Sequence, residues 1–132
     1  TFKEFVQAGN DYSGNELTGV PKNVFNAGLA FRIRCGIYGN LNYQFVDEMP
    51  MRDDNSVYSD PYQLTNFKLG YLKRLSDHFE INIHGILNNV FNEKYASLIS
   101  VNASSFGGNP PRYYYPGLPR NFFLGAEIRN NF

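Results

Sequence analysis

The residues best equipped for chemistry in this sequence are the run Arg112-Tyr113-Tyr114-Tyr115. It offers a cation beside flat amphipathic rings, a set suited to an anionic, aromatic-rich chelate through charge-assisted hydrogen bonds and stacking. Arg52 with Tyr58 forms a second, smaller set of the same kind. A competing reading gives Tyr114 and Tyr115 to an interfacial aromatic girdle and Arg112 to loop packing. Catalytic constellations do not assemble. Asp47 and Glu48, like Asp53 and Asp54, are sequence neighbours, and neighbours on an extended segment point to opposite faces instead of converging as acid and base. They read as solvated loop charge. Asp53-Asp54-Asn55 lacks the glycine and distal glutamate of a calcium loop. His78 and His84 supply too few ligands for a metal cluster. Gly107-Gly108 lacks the spacing and following helix of a phosphate loop. Cys35 reads as a small turn residue, although Arg32 and Arg34 lie close to it in sequence. We therefore expect no enzyme, no cofactor and no metal site.

Composition narrows the class further. Twelve Lys and Arg balance twelve Asp and Glu, which leaves no basic surplus for a phosphate backbone and argues against nucleic acid as a partner. A single cysteine rules out an intramolecular disulfide framework. Ten Tyr and twelve Phe accompany a negative mean hydropathy. That combination suits β structure in which apolar and polar positions alternate. The apolar runs are too short for a membrane-crossing helix, and no leader-like segment opens the chain. One domain is expected over residues 1–132.

The elements that must position these residues are long strands. Residues 121–132 place Phe122, Leu124, Ala126, Ile128, Asn130 and Phe132 on one face and Phe123, Glu127 and Arg129 on the other. About 9–11 residues of tilted strand cross a bilayer core. The same alternation runs through residues 23–33, 37–46, 63–74 and 79–92. Residues 1–8 read as the tail of a further strand. Short reversals are expected at Arg34-Cys35-Gly36 and at residues 75–78, and long polar connectors at residues 9–19, 47–61 and 95–119. Alternating short and long connectors imply an all-β, antiparallel up-and-down meander of about six long strands, with the short turns on one side of a membrane and the long loops on the other.

Particular motifs carry a family resemblance. Gly19-Val20-Pro21-Lys22 stands before a long strand. Asn88-Asn89-Val90-Phe91-Asn92-Glu93-Lys94-Tyr95 and Tyr115-Pro116-Gly117-Leu118-Pro119-Arg120-Asn121-Phe122 flank the last long connector. Together they make the whole chain resemble the carboxyl-terminal part of a TonB-dependent outer-membrane receptor. Asn130 departs from the apolar or aromatic residue more usual there. The resemblance implies a segment of a transmembrane β-barrel of about 22 strands, located in the outer membrane of a Gram-negative bacterium. The plug domain and earlier strands are then expected to lie outside these residues.

The implied function is active uptake of a scarce nutrient, a ferric siderophore or other iron complex being the most similar type. The implied partners are the TonB complex acting through the plug, outer-membrane lipid, the barrel-assembly machinery and a metal-chelate substrate. Phe132, Ile128 and Phe122 would form the assembly signal. Arg32, Glu80, His84, Glu127 and Arg129 would face the lumen, since a midplane Arg toward lipid costs roughly 2–4 kcal/mol. The alternative is a small soluble β-barrel or sandwich that binds ligands, with Phe25, Leu29, Leu41, Tyr43 and Leu124 packed around a cavity.

Overall fold

A computed structural model describes residues 1–130. Asn131 and Phe132 lie outside the described residues, and with them the assembly role expected of Phe132. Every regular element among the described residues is a strand: β1 (Val6–Gln7), β2 (Asn10–Asp11), β3 (Val24–Arg32), β4 (Ile37–Val46), β5 (Tyr62–Arg74), β6 (Phe79–Asn88), β7 (Ala96–Ile99), β8 (Tyr114–Pro116) and β9 (Asn121–Asn130). The main sheet has five strands in the order β3-β4-β5-β6-β9, an antiparallel meander. Its strands run from 9 residues in β3 to 13 in β5.

Register keeps the two sequence faces apart. β5 pairs with β6 through Phe67↔Leu87, Leu69↔Gly85 and Tyr71↔Ile83, so the apolar positions meet on one face. β6 pairs with β9 through Ile81↔Ile128, Ile83↔Ala126, Gly85↔Leu124 and Leu87↔Phe122, which extends that face. The intervening positions Glu80↔Arg129, Asn82↔Glu127 and His84↔Gly125 share the other face. A slip of one residue would mix the two sets completely.

The short reversals fall where the turn chemistry places them. Gly36 has φ +101°, and a Cβ there would overlap the Leu72 carbonyl oxygen, so only glycine fits. Its amide donates to the Ile33 carbonyl at 3.0 Å, and Ile33 donates to Ile37 at 2.9 Å. At the second turn the Leu75 amide donates to the Phe79 carbonyl at 2.8 Å, while the Ser76 hydroxyl oxygen accepts from Phe79 at 3.2 Å.

Residues 1–8 do not continue a long strand. Instead β1 and β2 form a tiny hairpin about Ala8 and Gly9, both at positive φ. The rings of Phe2, Phe5 and Tyr12 pack on one another, at 4.7 and 5.6 Å between centroids. Phe2 and Asn15 close the loop at 2.8 Å. These local contacts satisfy a segment that the alternation had assigned to the wall, which accounts for five long strands in place of about six. Strand β6 also stops at Asn88, short of the expected residue 92.

The chain divides into two compact units. The sheet unit comprises Phe25–Gln44, Gln63–Glu93 and the segment from Leu118 onward. The loop unit comprises Thr1–Val24, Phe45–Tyr62 and Lys94–Gly117. The buried apolar side chains among the described residues, Val46, Met49, Met51 and fully buried Pro50, all belong to the loop unit. The sheet unit leaves its apolar face uncovered: Phe122, Leu124 and Ile128 are 74%, 81% and 71% exposed.

Candidate functional site

In the loop unit, a hairpin at residues 49–59 is built on its own backbone. Met51 donates to Val57 at 2.7 Å and Ser59 to Met49 at 2.9 Å, with Asn55 at φ 52° in the turn. Two other segments are tied to this hairpin. Gly19 donates to the Pro50 carbonyl at 2.8 Å and Asn102 to the Met51 carbonyl at 2.9 Å. Side chains reinforce the backbone. Asn55 Oδ1 accepts from the Glu16 amide at 2.7 Å and its Nδ2 donates back to the Glu16 carbonyl at 3.1 Å. These are ordered loops with a small core, rather than a floppy surface.

Onto this frame the structure places the residues expected to meet a ligand. Tyr114 and Tyr115 lie in β8, paired with Ile99 and Leu98 of β7. The alternation of a strand puts Tyr114 on the face opposite Tyr115, so these two rings of the expected patch part company. The Arg112 guanidinium stands 5.6 Å over the Tyr115 ring, a cation–π geometry. Arg52 is brought to Tyr113, and a hydrogen bond to the Tyr113 phenol, with Asp54 nearby, raises its pKa above the ordinary value. Its Nε also contacts Asp54 at 3.3 Å. The Asp54 carboxyl is held below its ordinary value by the Ser56 hydroxyl and amide, with Arg52 a smaller contribution.

Tyr58 does not join this group. It bridges Pro50 across the hairpin and sits with Glu16 and Lys22, which form an ion pair at 2.6 Å. Burial pushes the Tyr58 phenol up, and the hydrogen bond that Lys22 donates to Glu16 raises the Lys22 ammonium. The two usable groupings are therefore Arg112 on Tyr115 and Arg52 with Tyr113. Of the two arginines, Arg52 already answers to Asp54, which leaves Arg112 the better match for an incoming anion.

In the sheet unit, Glu80, His84, Glu127 and Arg129, four of the positions expected on the inner face, share the face opposite the apolar one. Arg129 lies 3.6 Å from Glu80 across the β6–β9 pair and 2.8 Å from Glu127 on its own strand. Arg32 stands 5.9 Å over the Tyr38 ring, and the Tyr38 hydroxyl donates to Asn82 Oδ1 at 2.7 Å. Tyr38 thus reaches from β4 over β5 to β6. It does so by lying across Gly70, where its ring occupies the space of a Cβ. His84 packs similarly against Gly125, with Nδ1 buried and unbonded. Ile128 and Phe122, expected in the assembly signal, lie on the exposed apolar face.

The turn after β6 explains the asparagine-rich motif of the sequence. Asn89, buried and at φ 49°, uses Nδ2 to reach the carbonyls of Glu93 at 2.8 Å and Leu118 at 3.1 Å, while Oδ1 accepts from the Glu93 amide at 2.7 Å. Asn92, at φ 57°, accepts from the Arg120 amide at 2.9 Å. In the loop unit the Tyr95 ring lies where a Cβ on Gly117 would be. The two motifs that flank the last connector are thus each other's hydrogen-bonding and packing partners.

Two residues important to the loops escaped the sequence reading. Asp53, taken as solvated charge, accepts hydrogen bonds from Thr18 and Asn102. Asn102 drew no notice at all. No group of three or more His, Cys, Asp or Glu able to hold a metal occurs among the described residues. A family model described as TonB dependent receptor-like, β-barrel, matches residues 1–90, well over half of the chain. The matched span includes Gly19-Val20-Pro21-Lys22, Arg52, Tyr58 and the strands through β6; residues 112–115 and β9 lie beyond it.

Proposed function

Because the chain belongs to the TonB-dependent receptor-like β-barrel family, we propose that it supplies wall and outer loops to an outer-membrane receptor for an iron complex, a ferric siderophore foremost. The family is one of transport receptors coupled to TonB, not of enzymes. A five-stranded sheet cannot close on itself, since the smallest single-chain membrane barrels have about 8 strands. Further wall strands and a plug domain, through which TonB acts, therefore come from additional sequence. The long connectors face outward and meet the substrate. The apolar face meets lipid, and Phe122 and Ile128 on it serve recognition by the barrel-assembly machinery.

The observation that carries this reading is the segregation of faces. Phe122, Leu124 and Ile128 stand exposed on one side while Glu80, Glu127 and Arg129 pair on the other. A soluble barrel would pack Phe25, Leu29, Leu41, Tyr43 and Leu124 around a cavity, but Tyr43 is half-buried and the other four are exposed. The substrate class rests on Arg112 over Tyr115, with Arg52 and Tyr113 beside each other.

The test is binding by the full-length receptor in detergent. Ferric tris-catecholate is expected to quench its tyrosine fluorescence, and Arg112→Ala to weaken binding about tenfold or more through loss of a charge-assisted hydrogen bond. Binding of cobalamin or an oligosaccharide, with no response to any ferric chelate, would overturn the substrate assignment.

A further inference from the structure

Asp53 is a loop carboxylate whose two oxygens are occupied by neutral donors. Oδ1 accepts from the Thr18 hydroxyl and Oδ2 from Asn102 Nδ2 at 2.7 Å. The contact with Asn102 is reciprocal, because the Asp53 amide donates to Asn102 Oδ1 at 3.1 Å. The two residues are 49 apart in sequence, so this is a tertiary device and not a local turn. Asn102 adopts φ 51°, a left-handed conformation that asparagine tolerates better than most residues. Its amide donates to the Met51 carbonyl at 2.9 Å. Two residues earlier, the Ser100 amide donates to the Tyr113 carbonyl at 2.7 Å. Residues 100–102 are therefore tied to residues 51–53 and to Tyr113. Arg52 lies between Met51 and Asp53, with the Tyr113 phenol the largest influence on its guanidinium.

The structure assigns Asp53 and Asn102 a positioning role: their reciprocal pair sets the register of residues 51–53 against residues 100–102 and so holds Arg52 at Tyr113. The role rests on reading these loops as the substrate site. Each Asp53 carboxylate oxygen already accepts a hydrogen bond from a neutral side chain of the loop unit. Its side chain acts through Arg52 and Tyr113.

An exchange of the two side chains tests this in the full-length receptor. Asp53→Asn leaves a single acceptor, which can serve Thr18 or Asn102 but not both. Asn102→Asp sets two carboxylates against each other. The double variant Asp53→Asn with Asn102→Asp restores one donor and one acceptor with the polarity reversed, and Thr18 keeps an oxygen to bond. Two readouts apply: hydrogen exchange at the Ser100 and Asn102 amides, and fluorescence quenching by ferric tris-catecholate. Each single variant is expected to speed exchange at both amides and to weaken binding about tenfold, the loss of the reciprocal pair. The double variant returns both toward the starting values. Unchanged exchange in the single variants, or a double variant as impaired as they are, overturns the positioning role. If the starting receptor fails to bind the probe while the exchange pattern follows the swap, the pair sets the register and the substrate reading alone is refuted.

Discussion

Asn89→Ala should be among the most damaging single substitutions in the sheet unit, although Asn89 touches no ligand and carries no charge. The side chain is 4% exposed and makes three hydrogen bonds, two from Nδ2 to the Glu93 and Leu118 carbonyls and one to Oδ1 from the Glu93 amide. Alanine removes all three, at about 1 kcal/mol each net, and leaves their backbone partners unpaired. It also places a Cβ without side-chain compensation at φ 49°, adding about 1 kcal/mol. The sum is about 4 kcal/mol, enough to shift a denaturation midpoint clearly. Asn89→Gly should recover about 1 kcal/mol of this, because it relieves the backbone but restores no hydrogen bond. The assay is urea unfolding of the refolded full-length receptor in detergent, followed by tyrosine fluorescence and by heat-modifiable migration on gels. An alanine variant within about 1 kcal/mol of the starting protein, or a glycine variant less stable than alanine, would refute this account of the turn.

Gly70→Val should displace the Tyr38 ring and break its hydrogen bond to Asn82, so it should cost more than Tyr38→Phe, which removes the hydrogen bond alone at about 1 kcal/mol. In a Tyr38→Ala background the valine penalty should largely vanish; a double-mutant cycle with no coupling would contradict the packing described. For Asp54, whose pKa is depressed chiefly by Ser56, the hydrogen-bonded ionised form favours the ordered loop above the ordinary aspartate value of 3.8 and is lost as pH falls through the lower folded value. The exposed site makes the stability effect small. Carbon NMR titration should therefore show Asp54 moving back toward 3.8 in Ser56→Ala, and an unchanged titration would exclude the Ser56 hydroxyl as the cause.

The wall was legible in the sequence because its signal is local. A period of two in Phe79, Ile81 and Ile83, and in Phe122, Leu124 and Ile128, fixed both the strands and which face each residue takes. Gly36 marked one reversal, and the break in alternation at residues 75–78 the other. The limits were less well marked: alternation reads on through Asn89, but β6 ends before it because Asn89 takes a positive φ, set by partners at Glu93 and Leu118. The first residues alternated well enough to suggest a strand, yet Ala8-Gly9 folds them back on themselves. The loop unit was the least readable part. Its order comes from hydrogen bonds between residues 15–18, 51–55 and 100–102, which no local pattern encodes. Asp53 looked solvated for that reason, and the Arg112 to Tyr115 run looked like one patch although strand alternation divides it.

The apolar face of the sheet is expected to meet lipid, and the face bearing Glu80, Glu127 and Arg129 to stay away from it. Site-directed nitroxide labelling of the full-length receptor in bilayers tests it, with Cys35→Ser removing the native thiol and single cysteines introduced at Leu69, Ile83, Leu124, Asn82 and Glu127. Labels at Leu69, Ile83 and Leu124 are expected to collide readily with dissolved oxygen and poorly with a water-soluble nickel chelate, in alternation with labels at Asn82 and Glu127, which do not show that lipid signature. Equal access to the nickel chelate on both faces, or a lipid signature at Asn82 and Glu127, would contradict the account.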